Sequence, residues 1–284
     1  MKNLFLHLRL NIAIVLSPIF LWGVTLSQEK NMLNLLISFV LFHVFLYGGS
    51  NAYNSYYDKD EGPIGGLKNP PKITESLLYF SLGIKILGLI ISYFINIYFF
   101  TIYLFCFILS IMYSHPLTRL KAMPLVSLLV VGLGQGGLAF MAGWFSQRTD
   151  ISNFYLFLFG MFSTIFMSFG IYPLTQIYQI EEDSKRGDIT FAVKYGIRKS
   201  FIFSVLCTII SAICMISVIF IKKLYFDMIL ISLSYVIFIF LVTNWSKNYN
   251  EKEIFANYAK IMKINYMNSI GFILYILFNL FFRS

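Results

Sequence analysis

Two acidic clusters stand out in an otherwise apolar chain. The first reads Asn54-Ser55-Tyr56-Tyr57-Asp58-Lys59-Asp60-Glu61-Gly62, and the second runs from Gln176 through Gln179, Glu181, Glu182 and Asp183 to Asp188. Together they hold more than half of the chain's 13 Asp and Glu residues. Carboxylates crowded in this way repel one another unless a cation sits among them. Hard oxygen donors of this kind suit Mg²⁺, above all when a substrate diphosphate supplies the remaining ligands.

The spacing within each cluster suggests a shared face. Asn54, Asp58 and Glu61 recur at i, i+4, i+7, and Gln176, Gln179 and Asp183 at i, i+3, i+7. Each trio would line one side of a helix if its apolar run continues without a break. Between the clusters lies Tyr113-Ser114-His115-Pro116-Leu117-Thr118-Arg119-Leu120-Lys121. Pro116 ends the preceding run, and two cations follow. The planar fork of Arg119 and the point charge of Lys121 suit phosphate oxygens. The competing reading of any one of these loops is a set of solvated charges at a helix boundary.

The elements that must carry these loops are membrane helices. Of the 284 residues 58% are hydrophobic and 12% charged, and the mean hydropathy is +0.74. The apolar runs are about the ~20 residues that cross a bilayer as a helix, and they lack the alternation of a barrel strand. They predict about nine spans, near 10–26, 32–53, 76–94, 97–113, 123–143, 152–174, 201–221, 224–244 and 264–281. No small-residue cleavage site follows the first run, so it reads as a retained helix within one domain covering 1–284.

Basic residues orient the chain. With the N-terminus cytoplasmic, all of the 22 Lys and Arg except Lys30, Lys85, Arg148, Lys222, Lys223 and Arg283 fall on the cytoplasmic side. That bias predicts N-in, with both acidic clusters facing the cytoplasm. The net charge of +9 is then a topological signal and does not call for nucleic acid. Cys106, Cys207 and Cys214 lie in apolar runs without metal-ligand spacing and read as packing residues. Lys85 and His43 fall inside spans. Lys85 is expected in a buried pair or facing the lumen. The glycines 132, 134, 136 and 137 suit close helix packing better than a nucleotide loop.

The first cluster resembles the leading signature of the UbiA superfamily of intramembrane prenyltransferases, usually Asn-Asp-x-x-Asp-x-x-x-Asp. Asn54 and Asp58 match in place. Ser55 and Gly62 stand where the family has Asp, with Asp60 and Glu61 nearby, and the Tyr-Tyr-Asp run is similar to the menaquinone branch. Tyr113 to Lys121 resembles the family's basic loop. Gln176, Gln179 and Asp183 align with its second signature, although Gln179 replaces a carboxylate by an amide. Gly187-Asp188-Ile189-Thr190 and Tyr195-Gly196 resemble the usual continuation.

The resemblance implies an all-α integral membrane fold of about nine helices around a central cavity. It also implies a Mg²⁺-dependent enzyme of the bacterial-type inner membrane that moves an isoprenyl group from an isoprenyl diphosphate to a small, lipid-soluble acceptor, an aromatic one among the candidates. Asp58, Asp60, Glu61, Glu182, Asp183 and Asp188 are then the expected metal ligands. Asn54, Tyr113, Gln176 and Gln179 would bind substrate, while Arg119 and Lys121 would hold the diphosphate. With Asp58 and Asp183 these two cations form the expected catalytic set. The alternatives are a transporter or lipid-binding protein whose polar loops cap a pore, or a relative with altered acceptor chemistry.

Overall fold

The computed structural model describes residues 2–282 and is all-helical over them, with no strand beyond an isolated bridge between Ile64 and Leu67. Arg283 of the topological count lies outside the described residues. The long helices are α1 (Leu10–Ser27), α2 (Met32–Asp58), α3 (Ser76–Ser92), α4 (Ile97–Ser114) and α5 (Pro124–Gln147). They continue as α6 (Phe154–Gln176), the short α7 (Ile180–Arg186), α8 (Phe191–Ile221), α9 (Tyr225–Lys247) and α10 (Ile254–Phe282).

Each expected span meets one of these helices. Seven are long and apolar enough to cross a membrane. An eighth segment is the bent pair Asn3–Ile12 and Val15–Ser27, kinked by 54°, and Ser76–Ser92 is apolar but shorter, at 17 residues. The count of nine is therefore approximate. Large apolar side chains such as Leu33, Phe94, Ile213, Phe226 and Leu274 point outward, as they do in a multi-pass membrane protein whose solvent is lipid.

Local chemistry explains where several helices start. Asn31, Asn96 and Asn153 accept hydrogen bonds from the backbone N–H groups of Asn34, Phe99 and Leu156, capping α2, α4 and α6. All three caps lie at the ends opposite the acidic clusters. Pro124 begins α5, where its missing N–H costs no helical bond.

A core of large side chains, including Trp22, Phe42, Phe99, Phe140 and Trp144, fills the end away from the clusters. A second group around Leu174, Phe201, Phe238, Trp245 and Ile261 packs α6, α8, α9 and α10 together. Close approach depends on small residues. A Cβ at Gly23 would collide with the carbonyl of Phe140, and one at Gly143 with that of Phe20, which locks α1 against α5.

Two helices carry π-helical turns, Leu41–Gly48 in α2 and Gly132–Leu138 in α5. Widened turns of this kind rotate side chains out of the regular helical register. Both contribute to the central cavity, through Tyr47 on one side and Gly134 and Gln135 on the other.

The glycine expectation needs one correction. A Cβ at Gly132 would strike Phe169, one at Gly136 would meet Ile165, and Gly137 is in contact with Ile165, so these three pack α5 on α6. Gly134 has nothing within 4 Å and faces the cavity. Lys85 is fully buried, but among the described residues its partners are not acids. Its Nζ donates to Ser110 Oγ at 3.3 Å and lies 4.3 and 4.8 Å from the ring centres of Tyr53 and Phe107. His43 is buried in the first π-turn, its Nδ1 3.0 Å from the Phe39 carbonyl oxygen. The three cysteines are free, and two are buried.

Candidate active site

The first acidic cluster sits where α2 stops. Lys59 takes a left-handed conformation (φ 53°) and its N–H bonds back to the Ser55 carbonyl, so Asp58 is the last helical residue. A carboxylate at a helix C-terminus is disfavoured by the helix dipole, and the cost is offset by a nearby cation. Lys121 supplies it through a direct ion pair, with an Arg119 nitrogen 4.0 Å away. The helix break also corrects the first shared-face expectation. Asn54 and Asp58 line the cavity, whereas Glu61 lies beyond the break with its side chain exposed.

The second trio is also not on one continuous helix. The chain leaves α6 at Gln176, turns through a bond from Gln179 N–H to the Gln176 carbonyl (2.9 Å), and enters α7. Glu181, Glu182 and Asp183 occupy the first turn of α7, where the helix dipole favours acids. Gly187, at φ 81°, ends α7 in a conformation that costs glycine little. The reversal folds Asp188 back so that its N–H bonds the Asp183 carbonyl at 2.9 Å. Gln176, Gln179 and Asp183 reach the cavity despite the break.

The basic loop completes the mouth. Arg119 adopts φ 37° in a tight turn closed by its N–H on the His115 carbonyl at 2.7 Å. Its Nε and Nη2 donate to the two oxygens of Asp188 at 2.6 and 3.0 Å. Arg186 meets three carboxylates: Asp60 at 2.5 Å, Asp183 at 2.6 Å and Asp188 at 2.7 Å. The side chains of Asp58, Asp60, Asp183 and Asp188 are only 2–8% exposed. Burial pushes the Asp183 carboxyl up to about 6, against the pull of Arg186. Burial also works to raise the Asp188 carboxyl, but the hydrogen bonds from Arg119 and Arg186 hold it below the ordinary carboxylate value.

Neutral groups order the walls. Asn54 Nδ2 donates to Ser114 Oγ at 3.1 Å, and Gln176 Oε1 accepts the Ala192 N–H at 3.3 Å. Gln179 Nε2 donates to the Pro63 carbonyl at 3.4 Å. The hydroxyls of Tyr113 and Tyr172 lie 2.6 Å apart at the cavity wall. Glu182 stands apart from the ion-pair set: its Oε1 accepts the Glu61 N–H at 2.9 Å and so clasps the loop after α2. Below the charged mouth the cavity, of about 350 Å³, continues between apolar residues including Leu16, Ile19, Val131, Met167 and Ile171.

A model of the UbiA prenyltransferase family matches residues 16–266. The chain belongs to that family. This UbiA-family chain is 27% identical over 175 residues to a digeranylgeranylglyceryl phosphate synthase of Methanosphaera stadtmanae, a match covering 60% of the chain. The chain spans only 61% of the length of that curated relative. A UbiA homologue from Archaeoglobus fulgidus bound to DMAPP and Mg²⁺ superposes with a TM-score of 0.69 at 20% identity, over 94% of this chain and 99% of the other. An apo UbiA homologue from Aeropyrum pernix K1 gives 0.70 at 16% identity, over 95% and 98%. At these identities the structures establish a shared fold.

The donors at the UbiA-family mouth fit a hard divalent ion in chemistry. Asp58, Asp60, Asp183 and Asp188 offer buried carboxylate oxygens, and the amide of Gln179 lies at the same cavity. Among the described residues no three Asp, Glu, His or Cys side chains stand ready around one point. The carboxylates are engaged by cations of the chain itself.

Two of the cations at this mouth escape the sequence reading. Arg186 and Arg9 both line the cavity, and Arg9 reaches Asn51 O at 3.0 Å and Asn54 Oδ1 at 3.5 Å. In the sequence both count as topological charges. The signal that singles out Arg186 is its place three residues after Asp183 and two before Asp188.

Proposed function

We propose that this chain is an intramembrane prenyltransferase that moves an isoprenyl group from an isoprenyl diphosphate to a small, lipid-soluble acceptor, assisted by Mg²⁺. The observation that carries the reading is one cavity with a charged mouth and an apolar interior, the shape required by a substrate with a diphosphate head and a hydrocarbon tail. Family membership supports the same reaction class. The relatives contribute a digeranylgeranylglyceryl phosphate synthase and a homologue bound to DMAPP and Mg²⁺.

In this reading the head group lies between the two acidic clusters and the basic loop. Asp58, Asp60, Asp183 and Asp188 would hold Mg²⁺, which when bound neutralises the departing diphosphate as a Lewis acid. Arg119 and Lys121 place fixed positive charge at the same end, where negative charge develops as the carbon–oxygen bond breaks. The allylic carbon would then lie toward the cavity wall that includes Tyr113 and Tyr172, aromatic residues of the type that stabilises a cation. Leu16, Ile19 and Met167 keep water from the tail and from the allylic cation. Orientation completes the proposal: the mouth faces the cytoplasm, consistent with the bias of basic residues.

The test is to incubate the purified protein with Mg²⁺, isoprenyl diphosphates of several lengths and a lipid extract. Diphosphate release and prenylated products are followed by mass spectrometry. A product carrying the isoprenyl mass supports the reading and names both substrates. Release without any prenylated product, or no release, overturns it.

A further inference from the structure

We propose that Arg186 is an internal counter-cation that competes with the divalent ion for the carboxylates and gives way when a diphosphate arrives. The proposal rests on the prenyltransferase reading. Its three guanidinium nitrogens go to three different aspartates: Nη1 to Asp60 at 2.5 Å, Nη2 to Asp183 at 2.6 Å and Nε to Asp188 at 2.7 Å. Nη1 also lies 3.4 Å from the Asp58 carbonyl oxygen. Arg186 therefore binds the first acidic cluster to the second at the position where a shared cation has to sit.

Charge decides the consequence. The ion-pair set contains four carboxylates, Asp58, Asp60, Asp183 and Asp188, and three cations, Arg119, Lys121 and Arg186. With Arg9 as a further cation on the same cavity wall, a bare divalent ion meets little or no net negative charge, and has to take Asp58 from the Lys121 ammonium and Asp60, Asp183 and Asp188 from hydrogen-bonded guanidinium groups. An isoprenyl diphosphate changes the balance, because it brings several negative charges and an oxygen array that matches the arginine fork. Arg186 is on the cavity wall with a side chain 19% exposed, so it can exchange aspartate for phosphate without leaving the mouth. Divalent ion and diphosphate then bind with positive coupling. Gln179 acts in the same direction by withholding the charge that the family's usual carboxylate would add.

The experiment titrates Mn²⁺ into the detergent-solubilised full chain by calorimetry and electron paramagnetic resonance, with and without a geranyl thiodiphosphate that resists ionisation. The parent is expected to bind Mn²⁺ on the order of tenfold or more tightly with the thiodiphosphate than without it. Arg186→Gln should tighten Mn²⁺ binding without the thiodiphosphate by a similar factor and weaken thiodiphosphate binding in its presence. Arg186→Lys keeps the charge but loses the three-way fork, and should lie between the two. Equal Mn²⁺ affinity of the parent with and without thiodiphosphate overturns the proposal even if neither variant folds. So does unchanged or weaker Mn²⁺ binding by folded Arg186→Gln, while the parent's binding of Mn²⁺ and thiodiphosphate leaves the prenyltransferase reading standing. A parent that binds no thiodiphosphate at any Mn²⁺ concentration overturns both.

Discussion

Arg119 grips Asp188 with two nitrogens, Nε and Nη2, of its guanidinium, across 69 residues of sequence, at 2.6 and 3.0 Å. The pair fastens the loop after α4 to the turn after α7. It also holds at the charged mouth the side chain proposed to bind the diphosphate.

Arg119→Ala removes both the charge and the fork, while Arg119→Lys keeps the charge alone. Isoprenyl diphosphate affinity should fall on the order of tenfold or more in the alanine variant and less in the lysine variant. Equilibrium binding of a thiodiphosphate analogue measures both. Parent-like affinity in the two variants would make Arg119 a purely structural clamp for Asp188.

Gly134 and Gly136 lie two residues apart in the same π-turn but should respond differently. Gly134 faces the cavity with nothing within 4 Å of its missing Cβ. Gly134→Leu should fold and shift the preference of the enzyme toward shorter isoprenyl diphosphates. Gly136→Leu would drive its side chain into the backbone of Ile165 and Thr164 and should lower thermal stability or prevent folding. Melting temperature and a chain-length series of substrates check both outcomes.

Much of this architecture was legible in the sequence because the bilayer imposes a length and a composition that hydropathy reads directly. The site was legible as a set of loops. Asn54, Asp58, Tyr113, Lys121, Gln176, Gln179 and Asp183 do reach the cavity. The geometry inside each cluster was not legible, because it depends on where helices stop. Lys59 and Gly187 end α2 and α7 through single positive-φ residues, and the turn at 177–179 interrupts the second trio. These breaks turn Glu61 outward and bring Asp188 inward. Arg186 was missed for a related reason: residue type alone does not separate a cation facing the cavity from one marking the cytoplasmic side.

The orientation can be checked by labelling single cysteines in a variant lacking Cys106, Cys207 and Cys214. Positions near Lys68, Lys121 and Lys194 should react only with reagent on the cytoplasmic side, and positions near Gln147 and Lys223 only from the other. The reverse pattern would put the charged mouth on the opposite face of the membrane.

Asp58 and Asp183 test the central claim most directly, because each belongs to a different acidic cluster and both are buried at one mouth. The decisive measurement is Mg²⁺-dependent diphosphate release from an isoprenyl diphosphate by the parent, Asp58→Asn and Asp183→Asn. Each substitution keeps the side chain's shape and removes one negative charge. Turnover should fall on the order of a hundredfold or more in both, with partial recovery at high Mg²⁺, since a metal contact to the leaving group contributes several kcal/mol. Full Mg²⁺-dependent turnover in both variants would contradict a site shared by the two clusters.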